Sequence, residues 1–302
     1  MVLNETKKEL RYSKNLTLTS KYIILYSGTS VVIYDYKFAC QKKISNLKYV
    51  YNGYVSPDET KLLLVSNTNR YYLFSLENFS MLSAHSLKSP YNANLEGVAC
   101  WCTNDSFLLP AQNSISLLST LKKFNCDSPN SFKDYLAEAF WIKYITVVEQ
   151  KNKCLIIGFN RRDNTWNVIW MDMDGKHTVY RILDFDEAVL AVDICYDAKR
   201  IVLTGESKIY SCDFYGVPSN IRGTYTFENI IVNGFPLFFK YSQSDASIAY
   251  LGTTQELIVY DLKKHVAVKQ HQMEFGARDI KEFGEILFVS TYNGLKLITL
   301  RE

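Results

Sequence analysis

Glycine and proline are scarce in this chain, at 13 and 6 of 302 residues, which excludes collagen-like and low-complexity classes. No apolar run approaches the roughly 18 residues that a membrane-spanning helix needs. Neither sign of charge dominates: 34 basic and 31 acidic residues leave a formal +3, spread through the sequence, which argues against a dedicated nucleic-acid face. The stretch from Met1 to Arg11 is polar with no apolar centre, so it does not read as a secretory signal. There is no Gly-x-Ser-x-Gly, no phosphate-cradling glycine loop and no dinucleotide fingerprint. The seven cysteines (Cys40, Cys100, Cys102, Cys126, Cys154, Cys195 and Cys212) are odd in number and scattered. Six of them lie among apolar residues and are expected to be core thiols in a reducing cytoplasm, not a disulfide framework.

What is abundant is the aromatic side chain, 14% of the sequence, together with short β-branched runs bounded by polar turns. Tyr22 to Tyr26 is followed by Ser27-Gly28-Thr29-Ser30 and then Val31 to Asp35. The same figure recurs down the chain, giving hairpins near residues 22–35, 61–76, 106–118, 154–172, 200–213, 247–261 and 285–299. Aligned on Ile33, Leu73, Leu117, Ile169, Tyr210, Val259 and Leu297, the copies are 38 to 52 residues apart with a mean of 44. A unit of that length, with an inner strand before each hairpin and a polar strand after it, fits a four-stranded propeller blade. The longest spacing places an insertion near residues 122–134, and Phe132 to Trp141 could form a turn or two of helix.

Seven hairpins predict a single all-β domain over residues 1–302, a seven-bladed β-propeller of four-stranded antiparallel blades. The last hairpin ends at Leu300-Arg301-Glu302 with no strand after it, while Lys7 to Tyr12 has no role in the first blade. Lys7 to Tyr12 is therefore expected to complete the last blade and close the structure, leaving no open seam of unpaired backbone.

The run Ser56-Pro57-Asp58-Glu59-Thr60-Lys61-Leu62-Leu63-Leu64-Val65, closing on Tyr72 to Leu76, resembles a repeat of the WD-repeat β-propeller superfamily. Val32-Ile33-Tyr34-Asp35 and Val259-Tyr260-Asp261-Leu262 resemble that family's strand end, with Tyr in place of Trp. No Gly-His pair and no Trp-Asp dipeptide occur, so the side-chain network that goes with them is not expected here. The resemblance implies that the loops joining second to third strands, and blade to blade, share one rim.

That rim selects Arg70, Tyr91, Arg161, Arg162, Trp166, Asp184 and Asp186 as candidate partner-binding residues, since exposed aromatics and Arg are typical anchors. The expected function is a non-catalytic interaction module that presents rim loops to a protein or peptide partner. No cofactor, metal, nucleic acid or membrane is expected, and a monomer is. Asp184-Phe185-Asp186-Glu187 and Asp172-Met173-Asp174-Gly175 invite a metal reading, but neither has a calcium-loop spacing. Cys100 and Cys102 lack a second pair to complete a zinc site. Two alternatives stay open: a propeller-type hydrolase or lyase drawing on Asp193, Asp245 or Asp279, and a binder of small ligands or glycans.

Overall fold

The computed structural model describes residues 15–93, 97–148, 152–196, 199–217, 225–226, 233–245, 247–264 and 266–299; these are all β, in antiparallel sheets. The chain divides into two compact units, Thr17–Arg181 and Ile182–Glu302 together with Met1–Leu16.

The first sheet runs in sequence order through β1 (Leu16–Leu18), β2 (Tyr22–Tyr26), β3 (Val31–Asp35) and β4 (Cys40–Ile44). The second repeats this with β5 (Val50–Val55), β6 (Lys61–Ser66), β7 (Arg70–Ser75) and β8 (Met81–Ser86). A larger sheet follows. In it β9 (Tyr91–Ala93) lies beside the end of β11, and β10 (Cys100–Thr103), β11 (Ser106–Asn113), β12 (Ser119–Asn125), β13 (Ser128–Val148), β14 (Lys153–Asn160), β15 (Thr165–Asp172) and β16 (His177–Arg181) pair in order. The other unit holds three sheets: β17 (Ala191–Cys195) to β18 (Arg200–Thr204), β19 (Lys208–Asp213) and β20 (Tyr225–Thr226); β21 (Pro236–Tyr241) to β22 (Ile248–Thr253), β23 (Glu256–Asp261) and β24 (Val266–Gln272); and β25 (Asp279–Phe283), β26 (Ile286–Thr291) and β27 (Gly294–Thr299). Successive meanders of this kind are a β-propeller arrangement.

Composition explains the order of strands within each sheet. The two middle strands, such as Leu62-Leu63-Leu64-Val65 in β6, are buried on both faces. Each buried leucine contributes about 1.5–3 kcal/mol, which is why these strands read as unbroken apolar runs instead of alternating ones. The fourth strands β4, β8, β16 and β24 are mostly exposed and correspondingly polar. The aspartates that end the third strands cap the following turn. Asp35 Oδ1 accepts the Lys37 and Ala39 N–H groups, Asp213 Oδ1 those of Tyr215 and Val217, and Asp261 Oδ1 those of Lys263 and Lys264.

At the turns after the first strands, neighbouring sheets of one unit interlock. Glu59 accepts the Ser20 N–H at 2.9 Å, Asn104 Oδ1 accepts the Asp58 N–H at 3.1 Å, and Glu282 accepts the Gln243 and Ser244 N–H groups at 2.8 and 3.1 Å. A carboxylate or amide on one turn thus satisfies backbone donors on the next, which ties adjacent sheets at their ends as well as through their cores.

The third hairpin departs from the sequence reading. Residues 115–118, expected as its second strand, form a loop with Leu117 at φ +58°, and the strand is β12, which begins directly after them. The expected insertion at 122–134 is taken up by β12 and the start of β13, and the helical turn expected over 132–141 is strand. The apolar Leu117-Leu118 pair imitates a strand, whereas the true strand Ser119–Asn125 carries two lysines that mask it. The expected closing strand, Lys7 to Tyr12, lies outside the described residues.

Candidate partner-binding rim

Four loops of the Thr17–Arg181 unit meet at one edge, and backbone pairing connects each to the next. The loop between β6 and β7 offers its carbonyls outward: Leu87 N–H donates to Asn69 O at 2.7 Å and Ala93 N–H to Thr68 O at 2.6 Å. The segment between those donors carries Tyr91, and as β9 it pairs with the end of β11, Tyr91 opposite Asn113. The Ser114 N–H then donates to Pro90 O at 3.0 Å, bringing in the loop between β11 and β12. Finally, Phe140 of β13 faces Ser119 of β12 on one side and Asn160 of β14 on the other. Two strand spacings separate Ser119 from Asn160, about 10 Å, so the loops 114–118 and 161–164 leave the sheet at the same level.

The loop 114–118 is the most exposed apolar feature of that edge. Ile115 is 86% exposed. Its loop is nonetheless firmly built: Asn113 Oδ1 accepts the Ile115 N–H at 2.9 Å and the Ser116 N–H at 3.2 Å. The Gln112 side-chain amide donates to Leu117 O at 2.8 Å, and the Leu117 N–H donates to Asn113 O at 2.8 Å. An asparagine that satisfies two successive backbone donors fixes the turn, so Ile115 is presented on an ordered support.

Cations flank it. Arg70 begins β7, and Arg161 and Arg162 form the turn between β14 and β15, where the Arg162 N–H donates to Asn160 Oδ1 at 3.0 Å. All three arginines are exposed, and among the described residues none forms an ion pair. Lys122 instead is committed: its ammonium lies 2.6 Å from Asp134 and 5.1 Å from the centre of the Tyr91 ring, covering part of that ring. The edge therefore combines one bare aliphatic side chain with unpaired guanidiniums.

The expected residues divide between roles. Arg70, Tyr91, Arg161 and Arg162 come together on this edge, whereas Trp166 is only 3% exposed and packs against Phe159 and Trp141 at centroid distances of 5.1 and 6.4 Å. A ring so enclosed has no face left for a partner to cover. Asp184 and Asp186 belong to the other unit and are exposed. Asp186 pairs with Lys208 at 2.8 Å, and that hydrogen bond holds its carboxyl below the ordinary range. The adjacent Glu187 is also lowered: burial works against its charge, but the Ser207 hydroxyl and N–H outweigh it. These acids serve the turn between β18 and β19.

The carboxylates considered for catalysis have structural partners as well. Asp245 caps the Ser247 N–H at 2.8 Å, Asp193 accepts the Tyr241 N–H at 2.8 Å, and Asp279 accepts the Leu16 N–H at 3.1 Å while pairing with Lys240. Asp172 lies 3.0 Å from Lys153, and Asp174 lies 3.7 Å from Lys176. Among the described residues no group of three or more His, Cys, Asp or Glu side chains is arranged to hold a metal.

Ile115 escaped the sequence reading because it was assigned to a strand. The signal that could have found it is Gln112-Asn113-Ser114, a polar turn cluster directly ahead of it. In comparisons with known proteins, no family model and no curated protein matches this chain.

Proposed function

We propose that this chain is a non-catalytic interaction module whose rim of loops 67–70, 87–93, 114–118 and 161–164 binds a peptide segment of a protein partner. The segment would carry an apolar side chain to cover Ile115 and acidic residues to meet Arg70, Arg161 and Arg162. The observation that carries this reading is Ile115 itself, an aliphatic side chain 86% exposed on a loop that its own hydrogen bonds hold in place. Exposed apolar side chains on ordered loops bind with little ordering cost, and surrounding arginines add charge-assisted contacts.

The scaffold in this proposal is a seven-bladed propeller of the WD-repeat type. The count follows if the large sheet is two blades joined at Phe140, where pairing with β12 passes to pairing with β14. The sheet β25 to β27 has three strands among the described residues, and Lys7 to Tyr12 would supply its fourth. Removing residues 1–13 is then expected to lower the melting temperature sharply; an unchanged melting curve would refute the closure.

The binding reading is tested by selecting ligands from a random peptide display library with the intact protein. Selected peptides should combine acidic residues with one large apolar residue. Their binding should be lost in Ile115→Asp and weakened at least about tenfold in the double variant Arg161→Glu/Arg162→Glu. Peptides that bind all three proteins equally would overturn the proposal.

A further inference from the structure

A different arginine, in the other unit, is unlike those on the rim. Arg278 directly precedes β25, and its guanidinium carbon lies 3.4 Å from the centre of the Tyr292 ring, a close stack. It is half-buried, and among the described residues it has no ion pair. Its Nε is sealed from solvent with no hydrogen-bond partner, whereas its Nη groups are not sealed in this way. Burial pulls its pKa down. An exposed arginine without a partner needs no explanation, since water solvates it. A half-buried one whose Nε is sealed from water without a partner does.

The surroundings hold this group in place. The Arg278 N–H donates to Ser290 O at 2.8 Å, the Ala277 N–H to Thr253 O at 2.9 Å and the Tyr292 N–H to Phe275 O at 3.2 Å. Gly276 has φ +69°, and a Cβ there would come within 3.1 Å of the Thr254 carbonyl oxygen. Glycine meets both conditions without strain. Stacking on Tyr292 covers one face of the guanidinium. Its N–H donors lie in the plane, so the stack fixes their direction without occupying them.

We propose that Arg278, held flat against Tyr292, is a receptor for an oxyanion, with two oxygens of a carboxylate or phosphate accepting end-on from its Nη groups. Planar two-oxygen recognition is what a guanidinium does better than an ammonium. Arg278 belongs to the other unit, and its assignment does not depend on the rim reading.

The probes are inorganic phosphate, succinate and chloride at matched ionic strength, each titrated into the full chain while the amide resonances of Tyr292 and Asn293 are followed. Phosphate or succinate should give a saturable shift that chloride does not, and whichever saturates at lower concentration identifies the source of the oxyanion. The Arg278→Lys variant keeps the charge and loses the fork, and should bind at least about tenfold more weakly with an unchanged melting temperature. Linear, chloride-like responses to both oxyanions, or equal binding by the lysine variant, would overturn the proposal.

Discussion

The two units solve one problem with different chemistry. Both must join the first strands of neighbouring sheets, where backbone groups meet across a gap that no strand ladder bridges. In Thr17–Arg181 the groups used are neutral. The Thr17 hydroxyl donates to Gly53 O at 3.3 Å, the Tyr54 hydroxyl to Gly97 O at 2.9 Å, and the Trp101 indole to Tyr54 O at 2.9 Å. In the unit containing residues 182–302 they are ionic. Asp193 on β17 accepts the Tyr241 N–H of β21, and Lys240 on β21 pairs with Asp279 on β25. Lys281 adds a second ammonium close enough for its pKa to be lowered, first by repulsion from Lys240 and then by burial. The first-strand joints of the Thr17–Arg181 unit are therefore indifferent to pH, although Glu59 and the Lys61–Asp105 pair tie its turns, whereas those of the other unit titrate.

The largest expected effect breaks the ionic joint. Lys240→Met takes the paired ammonium from the buried Asp279, leaving it the charge of Lys281 and the Leu16 N–H, and should cost about 3–5 kcal/mol, read by chemical denaturation. Its counterpart in the neutral unit, Tyr54→Phe, removes the hydrogen bond to Gly97 O and should cost only about 1 kcal/mol. Equal losses would erase the contrast between the units.

A smaller effect sharpens it. Burial pushes the Asp193 carboxyl above the usual range, against the pull of Lys240. Folding then takes up a proton, so this group adds stability as pH falls from its raised value toward about 3.9, the unfolded value. Asp279 acts oppositely. Burial works against its charge too, but Lys240 prevails and holds it below the usual range. Its contribution is present above about pH 3.9 and is lost as pH falls through the lowered value. Asp193→Asn should therefore flatten the rise in stability between neutral pH and about 4, measured by urea titrations at several pH values. A variant that keeps the rise would place its origin elsewhere.

Much of the fold was legible because blade strands are written in apolar runs. Ile33, Leu73, Ile169, Tyr210, Val259 and Leu297, on which the repeat aligns, lie in β3, β7, β15, β19, β23 and β27. Leu117 failed because local apolarity cannot tell a strand from a loop whose leucine turns back over its own asparagine cap. The lysines of β12 deepened the error: Lys122 is buried through a pairing with Asp134 that sequence spacing does not announce. Of the candidate rim residues, Arg161 and Arg162 lie in the turn that the sequence predicts, and Arg70 and Tyr91 begin strands beside such turns. Trp166 was misread as exposed because its neighbours in sequence are polar, while its neighbours in space, Phe159 and Trp141, are not. Arg278 and Tyr292 are 14 residues apart and meet only through the return of β26, so no local pattern joins them.

The rim is tested most directly by hydrogen exchange, comparing the free protein with its complex with a library-selected peptide. Amides in loops 67–70, 87–93, 114–118 and 161–164 should slow together, with Ile115 and Ser116 among them. Protection confined to the opposite turns, around Glu59 and Asn104, would contradict the account.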